Sequence, residues 1–259
     1  MFLRSHRHLI VSLVKRDLAG RFAGTIFGLF WAVILPLLHA AVYTFVFSVI
    51  MRAKTGGEYQ NIPFPVWLLA GLLPWTMLSE SLYSSAKVIS GNANMVKKTI
   101  FDKRVLPLTC VAASLVSHCV SLAVLLGIMA LFGIYPQWSV IFLPVISLLL
   151  VIFSLAWAYI LSALNVFIRD IDHVLTALLP IVFFTTPIVY SADLVPDSFR
   201  LFLKMSPVYH LVTFYRQTLL LGVTPDPLAL FSVSIGVVLF FLFGNYLFRT
   251  LSPEFADLL

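Results

Sequence analysis

Between Arg104 and Arg169 run 64 residues without a single Asp, Glu, Lys or Arg. As one helix this stretch would be roughly 96 Å long at about 1.5 Å per residue, about three times the ~30 Å hydrocarbon core of a bilayer. It must fold back on itself. The plausible turn within it is Gly133-Ile134-Tyr135-Pro136-Gln137, a Gly/Pro break with polar flanks. Two long apolar helices joined by a short turn is therefore the forced reading.

The rest of the chain agrees. Of its 259 residues 61% are hydrophobic and only 11% charged, where a soluble domain is charged at about a quarter of its positions. So much apolar surface cannot be hidden inside one globule, and most of it must face lipid. The expected fold class is an all-α integral membrane protein with a single domain over 1–259. Spans are predicted at 26–51, 63–86, 105–133, 138–168, 174–191 and 227–248. The first run is too long for a cleavable secretory leader and has no small-residue cleavage site after it, so the first span itself is expected to direct insertion.

Basic residues set the orientation. With the N-terminus in the cytoplasm, Arg4, Arg7, Lys15, Arg16, Arg21, Lys87, Lys97, Lys98, Lys103, Arg104, Arg169 and Arg249 lie inside. Arg52, Lys54, Arg200, Lys204 and Arg216 lie outside. The flipped topology would violate the positive-inside bias, so both termini, including the tail 249–259, are expected in the cytoplasm.

Two segments fall outside the spans. Residues 1–24 carry Ile10, Val14, Leu18 and Phe22 at four-residue spacing beside Lys15 and Arg16, the pattern of a helix lying in the interface. The competing reading is plain flanking charge. Residues 192–225 hold two short helices, 196–205 and 207–221, divided by Ser206-Pro207 as N-cap and first helical position. Each is too short to span and too apolar for water, so they are expected to enter and leave the outer leaflet. The alternative is a surface-lying hairpin.

Several chemistries are missing from the sequence. No Gly-x-x-x-x-Gly-Lys-Ser/Thr loop is present to cradle ATP phosphates, nor an HExxH, CxxC or GxSxG. No catalytic set and no metal set is expected, and no cofactor on this chain. His39 and His118 read as neutral residues bridging helices, and Glu80 as an intramembrane acid near the inner surface. Cys110 and Cys119 lie about 13 Å apart along one helix, too far for a disulfide.

Five stretches, in order, resemble the membrane subunits of ABC type-2 exporters of the Wzm-like kind, which export O-antigen or capsular polysaccharide. They are Lys15-Arg16-Asp17-Leu18 leading to Gly28-Leu29-Phe30-Trp31-Ala32 and Leu35-Pro36-Leu37; Leu69-Ala70-Gly71-Leu72-Leu73-Pro74-Trp75; Asn92 to Lys98 with Leu106-Pro107-Leu108; Asn165-Val166-Phe167-Ile168-Arg169-Asp170; and Pro187-Ile188-Val189-Tyr190 with Ser206-Pro207 and Tyr215-Arg216.

The resemblance implies six spans, re-entrant helices on the periplasmic side, and a homodimer in the bacterial inner membrane. It also implies a separate ABC ATP-binding subunit that holds ATP and Mg, a polyprenyl-pyrophosphate-linked glycan as cargo, and no nucleic-acid partner. On that footing Lys15, Arg16, Lys97, Lys98, Lys103 and Arg104 are the candidates for gripping the ATPase, and they would also attract a pyrophosphate. Trp31, Tyr43, Phe183, Phe184 and Tyr190 are the candidates for a channel wall, and Phe199, Tyr215 and Arg216 for a periplasmic gate. An exporter of another amphiphile, such as a teichoic acid or a drug, is the nearest alternative, and a membrane-embedded transferase a more distant one.

Overall fold

The computed structural model describes residues 7–22, 30–52, 55–98 and 101–259. Arg4, Lys54 and the first four residues predicted for span one, Gly28-Leu29 among them, lie outside the described residues. Those described form helices and connecting turns, with no strand among them.

In chain order the α-helices are α1 (Arg7–Phe22), α2 (Trp31–Tyr43), α3 (Phe64–Ala86), α4 (Ala93–Lys98), α5 (Val105–Leu131), α6 (Leu143–Phe167), α7 (Ile171–Thr185), α8 (Asp197–Met205), α9 (Pro207–Arg216), α10 (Pro227–Leu251) and α11 (Phe255–Leu258). Two of them loosen into wider π-type turns, α2 over Thr44–Ile50 and α9 over Gln217–Leu221.

Among the described residues four segments are long and apolar enough to cross a bilayer: Val33–Ile50, Val105–Leu131, Trp138–Phe167 and Pro227–Leu258. The fold-back predicted within the uncharged stretch is there. Gly133 takes φ +73°, a left-handed conformation that glycine adopts without a steric penalty. The amides of Ile134 and Gly133 return to the carbonyls of Met129 (2.9 Å) and Ala130 (3.1 Å), which closes α5 as a Schellman cap.

Helix α7 is shorter than its predicted span. It ends at Thr185 and Thr186 turns extended, so the helix rises only ~22 Å. Pro187 accounts for the stop, because the residue before a proline is pushed out of the helical region. The breaks predicted after it hold: Asp197 opens α8, and the Ser206 hydroxyl accepts the Tyr209 amide while Pro207 starts α9.

Helix α3 forms the middle of the bundle and packs against α5, α6, α7 and α9. The most extensive helix pair is α6 with α10. Gly244 permits that approach: a Cβ there would stand 2.6 Å from the backbone oxygen of Ala156, the close packing that small residues give membrane helices. Helix α1 lies along α5. Its inward face carries Leu9, Ile10 and buried Leu13, so protein covers part of the stripe that the sequence assigned to lipid.

Candidate functional site

The densest polar construction is built around Arg216, at the end of α9. The residue is only 6% exposed. Its guanidinium donates from Nη1 to the Pro187 carbonyl at 2.8 Å, from Nη2 to that of Ile188 at 2.5 Å, and from Nε to that of Trp67 at 3.3 Å. It also lies 3.7 Å over the Trp67 ring, a cation–π contact strengthened by exclusion of water. The carbonyls of Pro187 and Ile188 lie beyond the end of α7, where no following helical turn supplies donors. The planar fork of arginine supplies them instead.

Gly71, one turn after Trp67 on α3, makes room for this arrangement. Any Cβ at that position would collide with the guanidinium. Beside Arg216 opens a cavity of about 290 Å3 lined by Glu58, Tyr59, Trp67, Asp193 and Tyr209 among others. Burial pushes the Tyr59 phenol up to about 12, with Arg216 pulling the other way, so its hydroxyl keeps its proton across the physiological range.

The next residue, Tyr215, faces the bundle and is fully buried. Its hydroxyl stands 2.8 Å from His118 Nε2 and 2.6 Å from Ser147 Oγ, while His118 Nδ1 lies 3.2 Å from the Leu73 carbonyl. A carbonyl can only accept, so Nδ1 carries a proton. In the neutral ring Nε2 then accepts from Tyr215, whose oxygen accepts from Ser147. This chain ties α3, α5, α6 and α9 together, and His118 is the bridging histidine that the sequence suggested. Phe199, by contrast, is 58% exposed on α8. Of the three gate candidates, two enter adjoining buried networks and one faces outward.

The channel candidates also divide. Tyr43 packs on Phe183 with ring centroids 5.8 Å apart, Phe183 on Phe184 at 5.0 Å, and Trp75 of α3 joins Phe183 at 5.5 Å. Aromatic residues of α2, α3 and α7 thus form one continuous cluster, in which Phe184 is the exposed member. Tyr190 stands apart and donates its hydroxyl back to the Phe184 carbonyl at 2.9 Å. Trp31 lies at the far end of α2, roughly 18 Å of helical rise from Tyr43.

The basic candidates separate by availability. Lys15, Arg16, Lys97 and Lys98 are exposed, with Arg16 donating to Asn92 Oδ1 at 2.8 Å. Lys103 and Arg104 are engaged inside the fold. Lys103 donates to the Ser252 carbonyl at 2.6 Å and lies over the Phe255 ring, and burial lowers its pKa. Arg104 grips Asp102 through both carboxylate oxygens and reaches Asn245 at 3.2 Å. The hydrogen bonds it donates to Asp102 raise its pKa. Lys87 reaches across to α7 and pairs with Asp172.

Sequence reasoning missed Trp67 and Gly71 as the partners of Arg216. A glycine in mid-helix was the available signal, since it weakens a helix unless something needs the space.

Comparison with known proteins places these networks in a family context. The pattern of the ABC-2 type transporter family matches residues 8–220. The chain is 34% identical over 258 residues to the O-antigen export system permease protein RfbA of Myxococcus xanthus, covering 98% of this chain and 96% of that one. A protein of the same name from Klebsiella pneumoniae is 28% identical over 253 residues, with 97% and 95% covered. The polysialic acid transport protein KpsM of Escherichia coli is 25% identical over 247 residues, with 93% and 92% covered.

Proposed function

This chain belongs to the ABC-2 type transporter family, and we propose on that premise that it is the permease subunit of an ATP-driven exporter of O-antigen or capsular polysaccharide. The observation that carries the reading is similarity along nearly the whole chain to permeases named for O-antigen export. The resemblance to a polysialic acid transport protein supports a polymeric glycan over a small drug.

In this reading the chain sits in the bacterial inner membrane with both termini cytoplasmic, and the glycan travels on a polyprenyl-pyrophosphate lipid. Six spans are formed by α2, α3, α5, α6, α7 and α10. Helix α7 is too short alone, and the Pro187-Ile188 turn held by Arg216 completes its outer part. Helices α8 and α9 form the re-entrant pair. Two copies pair so that the Tyr43–Phe183–Phe184 cluster borders a shared path, where aromatic faces can lie against sugar rings without demanding one hydrogen-bond pattern. A separate subunit binds ATP and Mg and docks against exposed Lys15, Arg16, Lys97 and Lys98.

The test is to delete the gene and then reconstitute the purified chain with the ATP-binding protein of the same operon. The expected result is loss of surface glycan on deletion and ATP hydrolysis that depends on both chains. Normal surface glycan in the deletion strain would sink the proposal. Charge reversal at Lys97 and Lys98 should reduce co-purification of the ATPase while insertion is unaffected.

A further inference from the structure

At the inner end of the bundle a cavity of about 390 Å3 opens between the loops that follow α3 and α6. Its wall includes Lys87, Ser90, Asn165, Arg169, Asp172 and His173. Leu258 and Leu259 supply an apolar side. The candidate basic residues Lys103 and Arg104 do not line it.

Asn165 is the telling group. It is 5% exposed, and its Oδ1 accepts from Ser90 Oγ at 3.4 Å. Its Nδ2 is buried without a hydrogen-bond partner. An unmatched buried donor costs on the order of 1–3 kcal/mol, so natural folds keep one where something else completes it. A donor requires an acceptor, and the surroundings say which kind. Arg169, exposed at the rim, and the first turn of α7 both favour an anion. The one side-chain carboxylate among the described residues of the wall, Asp172, is already paired with Lys87, so it does not cancel the charge of Arg169.

Position narrows the choice. Helices α3 and α6 end here, at Ala86 and Phe167, and α7 begins at Ile171. Charged side chains cluster where the apolar stretches stop, which is the level of lipid headgroups. The cavity is also far larger than a single carboxylate needs, and an apolar wall beside polar donors suits a headgroup with its chain attached.

We propose that this cavity binds the phosphate oxyanion of an inner-leaflet lipid, with Asn165 Nδ2 and the Arg169 guanidinium as its principal donors. The ligand chemistry is shared by an anionic phospholipid and by the diphosphate of a polyprenyl carrier. Only the second source rests on the export function proposed above.

The experiment uses the full chain with its ATP-binding partner in neutral-lipid nanodiscs, titrated separately with phosphatidylglycerol, undecaprenyl diphosphate and uncharged diacylglycerol. Bound lipid is read by native mass spectrometry. Retention of either phosphate lipid over diacylglycerol is expected, with about a tenfold loss in Arg169→Gln and in Asn165→Asp. Asn165→Asp swaps a donor for an acceptor at nearly constant volume. Should that variant fail to fold, the exposed Arg169→Gln alone decides. Preference for phosphatidylglycerol assigns the site to membrane lipid, and preference for the diphosphate assigns it to the cargo. Phosphate-lipid binding unchanged within twofold in Arg169→Gln overturns the proposal, as does loss of ATPase co-purification without loss of lipid. That last result would make the cavity a socket for a partner's carboxylate. Because lipid retention is measured without transport, the proposal can fail while the export reading stands, and the reverse.

Discussion

Helices α3 and α10 are nearly equal in length and use their side chains in opposite ways. In α3, 17 of 23 residues are buried, whereas α10 buries only Val237, Gly244 and Phe248 of 25. Yet α10 is among the segments apolar enough to stand as membrane spans, and α3 is not. Hydropathy in this chain therefore reports exposure to lipid rather than importance to the bundle. Helix α3 is surrounded by protein and carries Pro74, Thr76, Ser81 and Ser85, with hydroxyls turned back onto carbonyls of its own preceding turn: Ser81 donates to Met77 O at 2.7 Å and Thr76 to Leu73 O at 3.0 Å. A helix facing lipid can turn a lone hydroxyl back in the same way, as Ser234 does onto the Leu230 carbonyl at 2.6 Å, but the rest of its outer face must be apolar.

The contrast predicts that the largest effects come from polar sites touching α3. Arg216→Met removes the donors for two carbonyls beyond α7 and the charge over Trp67. The expected loss is about 3 kcal/mol of unfolding free energy, measured by denaturant titration in mild detergent. Gly71→Val should destabilise in the same direction by forcing the guanidinium out of its seat. In the double variant the two losses should be clearly less than additive, since one arrangement is broken twice. Additive losses would mean that Gly71 and Arg216 do not share a site.

This division also explains what could be read in advance. The helices at 63–86, 105–133 and 138–168 were legible because apolar blocks, Gly133 and the loop charges mark their ends locally. The Ser206-Pro207 break was legible for the same reason. The end of α7 was misplaced because Pro187-Ile188-Val189-Tyr190 is apolar enough to read as helix, while its carbonyls are satisfied by a side chain some 30 positions away in sequence. Arg216 stands out in the sequence as a gate candidate, but nothing local names the carbonyls that hold it. Lys103 and Arg104 were grouped with Lys97 and Lys98 by charge alone. Only the fold shows that the first two are engaged inside it and the others are exposed.

On the α10 side the expected effects are smaller and of another kind. Gly244 is the point of closest approach to α6, so Gly244→Leu should push the pair apart. A cost of about 2 kcal/mol is expected, in the range of other overpacked sites. Gly244→Ala should cost less but be measurable, because the obstacle at 2.6 Å is backbone and cannot swing aside. Thermal unfolding of both variants checks the order. Equal stability of wild type and Gly244→Leu would show that α10 is held elsewhere along its length.

The smallest effect belongs to the face of α10 that none of the described residues covers. Leu239 is 61% exposed there, beside Leu242 at 53% and Phe243 at 55%. In a core, Leu→Ala costs about 2–5 kcal/mol because the loss of transfer free energy adds to an unfilled cavity. Against lipid neither term is large: acyl chains are as apolar as leucine, and they flow into the space a missing isobutyl group leaves. Leu239→Ala should therefore change unfolding free energy by less than about 0.5 kcal/mol, as surface substitutions usually do. The measurement is best made in bilayer nanodiscs, with the protein held at several concentrations. A loss approaching the core value would mean that protein rather than lipid lies against this face. If that loss also grew on dilution, a second copy would be the cover, and the pairing proposed along the aromatic cluster of α2 and α7 would give way to one through α10.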